Sequence, residues 1–126
     1  MSTRLSRRVV TKTTNYTINA SVDRAGTVFN NLGATGPVTF TLPTAADAIL
    51  GTWYTFLGLA DQNIIVTPPV PDTLIVLNDA AADSLAIQTT NMKIGGNMEC
   101  LCVKTATGYG WTIFGNAVGV TYTVAT

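Results

Sequence analysis

The 126-residue sequence predicts an all-β protein: a compact antiparallel β-sandwich or jelly roll of about 8–10 short strands with an extended N-terminal arm. Three observations carry that expectation. Thr, Val and Ile number 22, 12 and 8, one third of the chain, and β-branched side chains favour a pleated, half-buried surface. Val38, Phe40 and Leu42 alternate with Thr39 and Thr41, the period of a strand with one buried face. Turn signals recur roughly every 8–12 residues, the rhythm of a sandwich or barrel.

The elements follow in order. Val9 to Thr13 reads as extended, and Tyr16 and Ile18 share one face. Asp23-Arg24-Ala25-Gly26 is a turn ahead of Val28-Phe29, and Asn30 to Pro37 is a loop in which glycine supplies positive φ. Val38 to Leu42 is the clearest strand, ended by Pro43, because proline cannot donate to a ladder. Ala45 to Leu50 is long enough for one or two helical turns only. Thr52 to Leu57 is an aromatic strand, and Ile64-Ile65-Val66 reads as a strand buried on both faces. Pro68 to Pro71 is a stiff connection. Thr73 to Leu77 and Leu85 to Gln88 read as strands around a loop from Asn78 to Asp83. Met98 to Lys104 and Trp111 to Phe114 form an antiparallel hairpin about a Gly108-Tyr109-Gly110 turn, and Val118, Val120, Tyr122 and Val124 alternate in a last strand. No fixed-period repeat is visible.

Charge is scarce and sorted. Only 11% of residues are charged and the formal net charge is zero, against roughly 25% charged in an average domain. Arg4, Arg7, Arg8 and Lys12 hold four of the seven positive charges, with no acid among the first twelve residues. The chain therefore divides into a basic arm, residues 1–14, and a single mildly acidic sandwich domain, residues 15–126. Residues 1–8 are expected to be mobile until a partner binds them. An uncharged surface is either coated with Thr, Ser and Asn or buried against other subunits.

Several function classes lose their chemistry. With no histidine, the usual general base, Ser-His-Asp and Cys-His triads and His-based zinc sites are excluded within one chain. Cys100 and Cys102 point to one face of a strand, too far apart for a disulfide, and are expected to be free thiols packed in the core. Asp72, Asp79 and Asp83 lack calcium-loop spacing and read as turn chemistry. Trp53, Tyr54, Tyr109 and Trp111 read as core or subunit interface rather than a sugar platform. No secretory leader or membrane helix is apparent in the sequence. An acidic body disfavours nucleic acid. The expectation is a protein that is not an enzyme, with no cofactor, no metal site, no nucleic-acid partner and no membrane.

Asp23 to Pro43 contains the run V-F-x-N-x-G-A-T-G-x-V-x-F-x-L-P, preceded by the short strand Tyr16-Thr17-Ile18. This run resembles a pattern in small virion structural proteins of tailed bacteriophages, which also tend to close on a Gly-Trp hairpin similar to Gly110-Trp111. The resemblance implies a capsid decoration (cement) protein on the outside of the phage head. Such a protein stabilises contacts between major capsid protein subunits, is made in the host cytoplasm and is located on the virion. It also implies a homotrimer and brings no catalytic residue. Arg4, Arg7, Arg8 and Lys12 lie outside the pattern; on their charge alone they are the candidate capsid-docking residues. The alternative is a tail-fibre or receptor-binding module that recognises a host surface glycan.

Overall fold

A computed structural model describes residues 6–76, 79–87, 93–115 and 122–125. Twelve strands are present among them: β1 Val9–Thr11, β2 Tyr16–Thr17, β3 Val28–Asn30, β4 Val38–Thr41, β5 Trp53–Leu57, β6 Ile64–Thr67, β7 Leu74–Val76, β8 Asp79–Ala82, β9 Ser84–Ile87, β10 Asn97–Thr105, β11 Gly108–Gly115 and β12 Tyr122–Ala125. One 3₁₀ turn, Asp47–Ile49, is the only helical element described. The strands form a seven-stranded sheet, β1-β3-β5-β10-β11-β7-β8, and a five-stranded sheet, β12-β9-β6-β4-β2. Their inner faces share one core, so the all-β sandwich stands.

The sheets are mixed rather than antiparallel throughout. β1, β3 and β5 run parallel in the large sheet, and β2, β4 and β6 run parallel in the small one. The first six strands alternate between the sheets, so each winding of the chain lays one strand in each. A connection that crosses to the other sheet and returns brings successive strands of one sheet in with the same direction, whereas a hairpin reverses it. From β6 onward the pairing is largely antiparallel, as in the expected β10–β11 hairpin.

Each winding stacks an apolar side chain on the last. Val10, Phe29, Phe56 and Met98 align across the large sheet, and Tyr16, Phe40, Val66 and Leu85 across the small one. The Phe29 and Phe56 rings stack at 5.7 Å, and Phe40 lies 5.4 and 5.2 Å from them. Such aromatic pairs add about 0.5–1.5 kcal/mol each beyond their burial.

The V-F-x-N run is the strap between the sheets. It leaves β3, turns at Gly33 with φ +83°, and enters β4, where Val38 and Phe40 are buried, as is Leu42 just beyond it. Asn31 is buried inside the strap. Its Oδ1 accepts the Leu59 and Ala60 N–H groups at 2.8 and 3.0 Å, and its Nδ2 donates to the Ala60 and Gln62 carbonyls. The run ends where the Pro43 carbonyl accepts a 2.8 Å bond from Trp111 Nε1.

Four local expectations change. Ile65 is only half buried, because the outer face of the five-stranded sheet is uncovered. Residues 79–82 form β8 instead of a loop, since an edge strand beside β7 needs only small side chains and one buried position, Ala82. Gly108 to Gly110 lies in β11, and the chain reverses at Ala106-Thr107. A Cβ on Gly110 would sit 2.6 Å from the Thr73 carbonyl oxygen, so this glycine serves the β11–β7 approach. Residues 6–14 do not stand apart as an arm: β1 is the edge strand of the large sheet, because Val10 joins the Phe29 column. Leu77, Gln88, Val118 and Val120 lie outside the described residues.

The outer faces differ in character. Thr17, Thr39, Thr41 and Thr67 line that of the small sheet. On the large sheet Trp53 and Leu101 are paired neighbours, and Phe114 is exposed opposite Glu99.

Candidate interaction site

Asp23 organises one rim of the sandwich. The turn that carries it is closed by the Val22 and Asp23 N–H groups on the Asn19 carbonyl. The buried carboxylate accepts Arg8 Nη1 at 2.7 Å, the Tyr16 hydroxyl at 2.6 Å and the Asn19 N–H at 3.1 Å. The Asp23 carbonyl accepts the Tyr54 hydroxyl at 2.6 Å. Burial alone would raise the Asp23 pKa, but the bonds from Tyr16, Arg8 and Asn19 and the Arg8 charge outweigh it and hold it below the ordinary value. Burial, with the nearby Asp23 charge, pushes Tyr54 up to about 12.

Arg7 lies on the outer face of the large sheet. Its Nε donates to the Gly26 carbonyl at 3.0 Å and its Nη2 to Thr55 Oγ1 at 2.6 Å, and Thr55 donates in turn to Glu99 at 3.3 Å. The guanidinium sits 4.4 Å from the Trp53 ring centroid, a cation–π distance. Gly26, at φ +87°, lets the turn close over Trp53.

Arg7, Arg8 and Arg24 therefore line one open cleft of about 380 Å³ with Ser6, Gly26 and Trp53. Of the three arginines, Arg8 is paired with the Asp23 carboxylate and Arg7 is bonded to the Gly26 carbonyl and Thr55. Arg24 is exposed, and among the described residues its side chain has no hydrogen bond, ion pair or ring partner. Trp53 is 37% exposed. Of the four cations expected to act together, Arg7 and Arg8 share this cleft. Lys12 stands apart, 4.0 Å over the Tyr16 ring. Arg4 lies outside the described residues. Sequence reasoning named Trp53 only as core or subunit interface and missed Arg24, for which the one available signal was the Asp23–Gly26 turn.

The other sequence candidates have structural roles. The Asp72 N–H donates to Asp83 Oδ1, and the Ala81 N–H to Asp79 Oδ1, both at 2.9 Å, which is turn chemistry. Among the described residues no group of three His, Cys, Asp or Glu side chains is placed to hold a metal. Cys100 and Cys102 are free and buried, and burial raises both thiol pKa values. Tyr54 and Trp111 are core residues, and the Tyr109 hydroxyl donates to Asp47 at 3.3 Å. No protein-family model and no curated protein matches the chain.

Proposed function

We propose that the protein is a non-catalytic capsid decoration protein, bound to the outside of a tailed-phage head and stabilising contacts between major capsid protein subunits. The motif resemblance supplies the class, and the Arg7–Arg8–Arg24–Trp53 cleft is the observation that supports docking. The cleft suits an acidic segment of the capsid protein. A guanidinium without an internal partner can take a carboxylate in two parallel hydrogen bonds. A half-exposed Trp beside it offers the aromatic anchor that binding surfaces favour. On the adjoining outer face of the large sheet, the Trp53–Leu101 pair and the exposed Phe114 add apolar contact area, and the threonine-coated face of the small sheet suits solvent. Self-association, as the trimer the resemblance implies, belongs to the same reading, as does synthesis in the host cytoplasm.

The glycan-binding alternative wants an open aromatic face. Arg7 already covers one side of Trp53, and Tyr54 and Trp111 are buried, so docking onto capsid protein is the better-supported reading.

Arg24→Glu is the test, because Arg24 has no internal partner to lose. Deleting residues 1–12 would remove β1 and unpair Asp23 as well. On heads purified from the parent phage, the variant is expected to bind about tenfold more weakly, roughly 1.4 kcal/mol, with an unchanged melting curve. Equal occupancy by variant and wild type would refute cleft docking.

A further inference from the structure

Among the described residues, the two ends of the large sheet are open and carry opposite charges. Among the described strands, β1 has one neighbour, β3, and β8 has one, β7. The Arg8 carbonyl accepts from Val28 N–H, and Lys12 N–H donates to the Asn30 carbonyl. Alternate residues of a parallel strand bond to the same side, so the N–H and C=O groups of Val9 and Thr11 face away from β3. Natural proteins cover or disrupt such edges because they template pairing with another chain.

We propose that the β1 edge of one copy pairs with the β8 edge of the next, joining copies head to tail through a continuous sheet. The charges are complementary. Lys12 follows β1, Arg8 before it being already paired with Asp23, while Asp79 opens β8 and Asp83 follows it, their carboxylates accepting the Ala81 and Asp72 N–H groups. Opposite charges across neighbouring strands stabilise pairing, and like charges oppose it. An edge meeting its own kind would set cation against cation or carboxylate against carboxylate, so the partner is the other edge. Ala80 and Ala81 are exposed on β8 and present no bulky side chain to hold a strand away.

Strand direction agrees. Following the pairings across the sheet, β8 runs antiparallel to β1. Copies related by rotation about an axis along the strands would therefore meet in an antiparallel ladder. Because β1 and β8 lie at opposite ends of the sheet, one neighbour cannot fill both. A closed assembly of this kind needs at least three copies. The inference rests on the two edges alone and stands or falls separately from capsid docking.

The experiment measures the mass of the full chain by sedimentation velocity, at low and high salt. The expected mass is at least three times the 13.3 kDa chain, falling as salt screens the edges. Val9→Pro removes an N–H that faces the open side, at the strand start where proline is tolerated. It is expected to return the protein to a single chain with its β spectrum and melting curve retained. Lys12→Glu and Asp79→Lys, each alone, are expected to raise the concentration needed for assembly at least tenfold, and together to restore it. A wild-type mass of one chain at every concentration would assign the charges to keeping edges apart and overturn the proposal. A closed dimer, or multimers that survive both Val9→Pro and Lys12→Glu, would overturn it too. Arg24→Glu should leave the mass unchanged, which separates this outcome from the capsid test.

Discussion

Arg8 and Asp23 form a 2.7 Å ion pair in which the carboxylate is fully buried and the guanidinium side chain is 35% exposed. Asp23 has further partners in Tyr16 and Asn19, whereas Arg8 has no other side-chain partner described. Removing the acid should therefore cost more than removing the base. Asp23→Ala is expected to destabilise by about 2–4 kcal/mol, and Arg8→Met by about 1–2 kcal/mol, the exposed side of the pair being discounted for solvent. Urea denaturation of the two variants checks the order. An equal or reversed ranking would mean that Asp23 is not the centre of the rim.

The same cluster sets a pH dependence with a definite sign. The Asp23 carboxyl is held below 3.8, so its contribution is complete above that value and is lost as pH falls through the lower, folded pKa. Tyr16 is raised above 10.0, first by its hydrogen bond to Asp23, then by burial and the Asp23 charge, with Arg8 opposing. Its contribution is complete below pH 10.0 and is lost as pH rises through the folded value. Denaturation midpoints should therefore fall below pH 3.8 and above pH 10.0. Asp23→Asn should flatten both limbs, and unaltered limbs in that variant would place the titration elsewhere.

Asn31 is the polar centre of the strap between the sheets. Replacing it with Ala leaves the Leu59 and Ala60 N–H groups without their acceptor. The expected loss is about 2–3 kcal/mol, read from the denaturation midpoint. Hydrogen exchange at those two amides should quicken in step. Asn31→Asp turns a second oxygen toward the Ala60 and Gln62 carbonyls in a buried site and should cost at least as much as Ala.

Gly110 is expected to reject any side chain. In Gly110→Ala the new methyl group meets the Thr73 carbonyl, and backbone cannot yield as a flexible side chain can. A loss of about 1–3 kcal/mol is expected, centred on the β11–β7 junction, where Trp111 N–H bonds that same carbonyl. Gly95→Ala, with open space around its Cβ position but φ +90°, should cost through backbone strain alone and leave that junction intact.

Much of the fold was legible because strand periodicity is local. Val38, Phe40 and Leu42 face the core as their alternation requires, and Met98, Cys100 and Cys102 do the same on β10. β8 was illegible because Asp-Ala-Ala-Ala has little strand propensity of its own; pairing with β7 supplies what the residues lack. Of the candidate site, the basic residues could be read as a charge run. Their gathering could not. Arg24 is far from Arg7 in sequence and joins it only because the Asp23–Gly26 turn folds back beside β1.

By itself, the sequence determined the all-β class, the alternating core positions, the buried free thiols and a basic start on an acidic body. Each follows from residue type and near-neighbour spacing. The tertiary structure alone decided the parallel winding, the mixed aromatic and threonine-coated outer faces, and the charges at opposite sheet edges. The winding escapes a search for repeats because its loops are unequal. Partners are 19 and 27 residues apart along the large sheet (Val9 to Val28, Val28 to Thr55) and 24 and 26 along the small one (Tyr16 to Phe40, Val38 to Ile64). Periodicity reports which face of a strand is buried; which strand lies beside it is set by where the connections carry the chain.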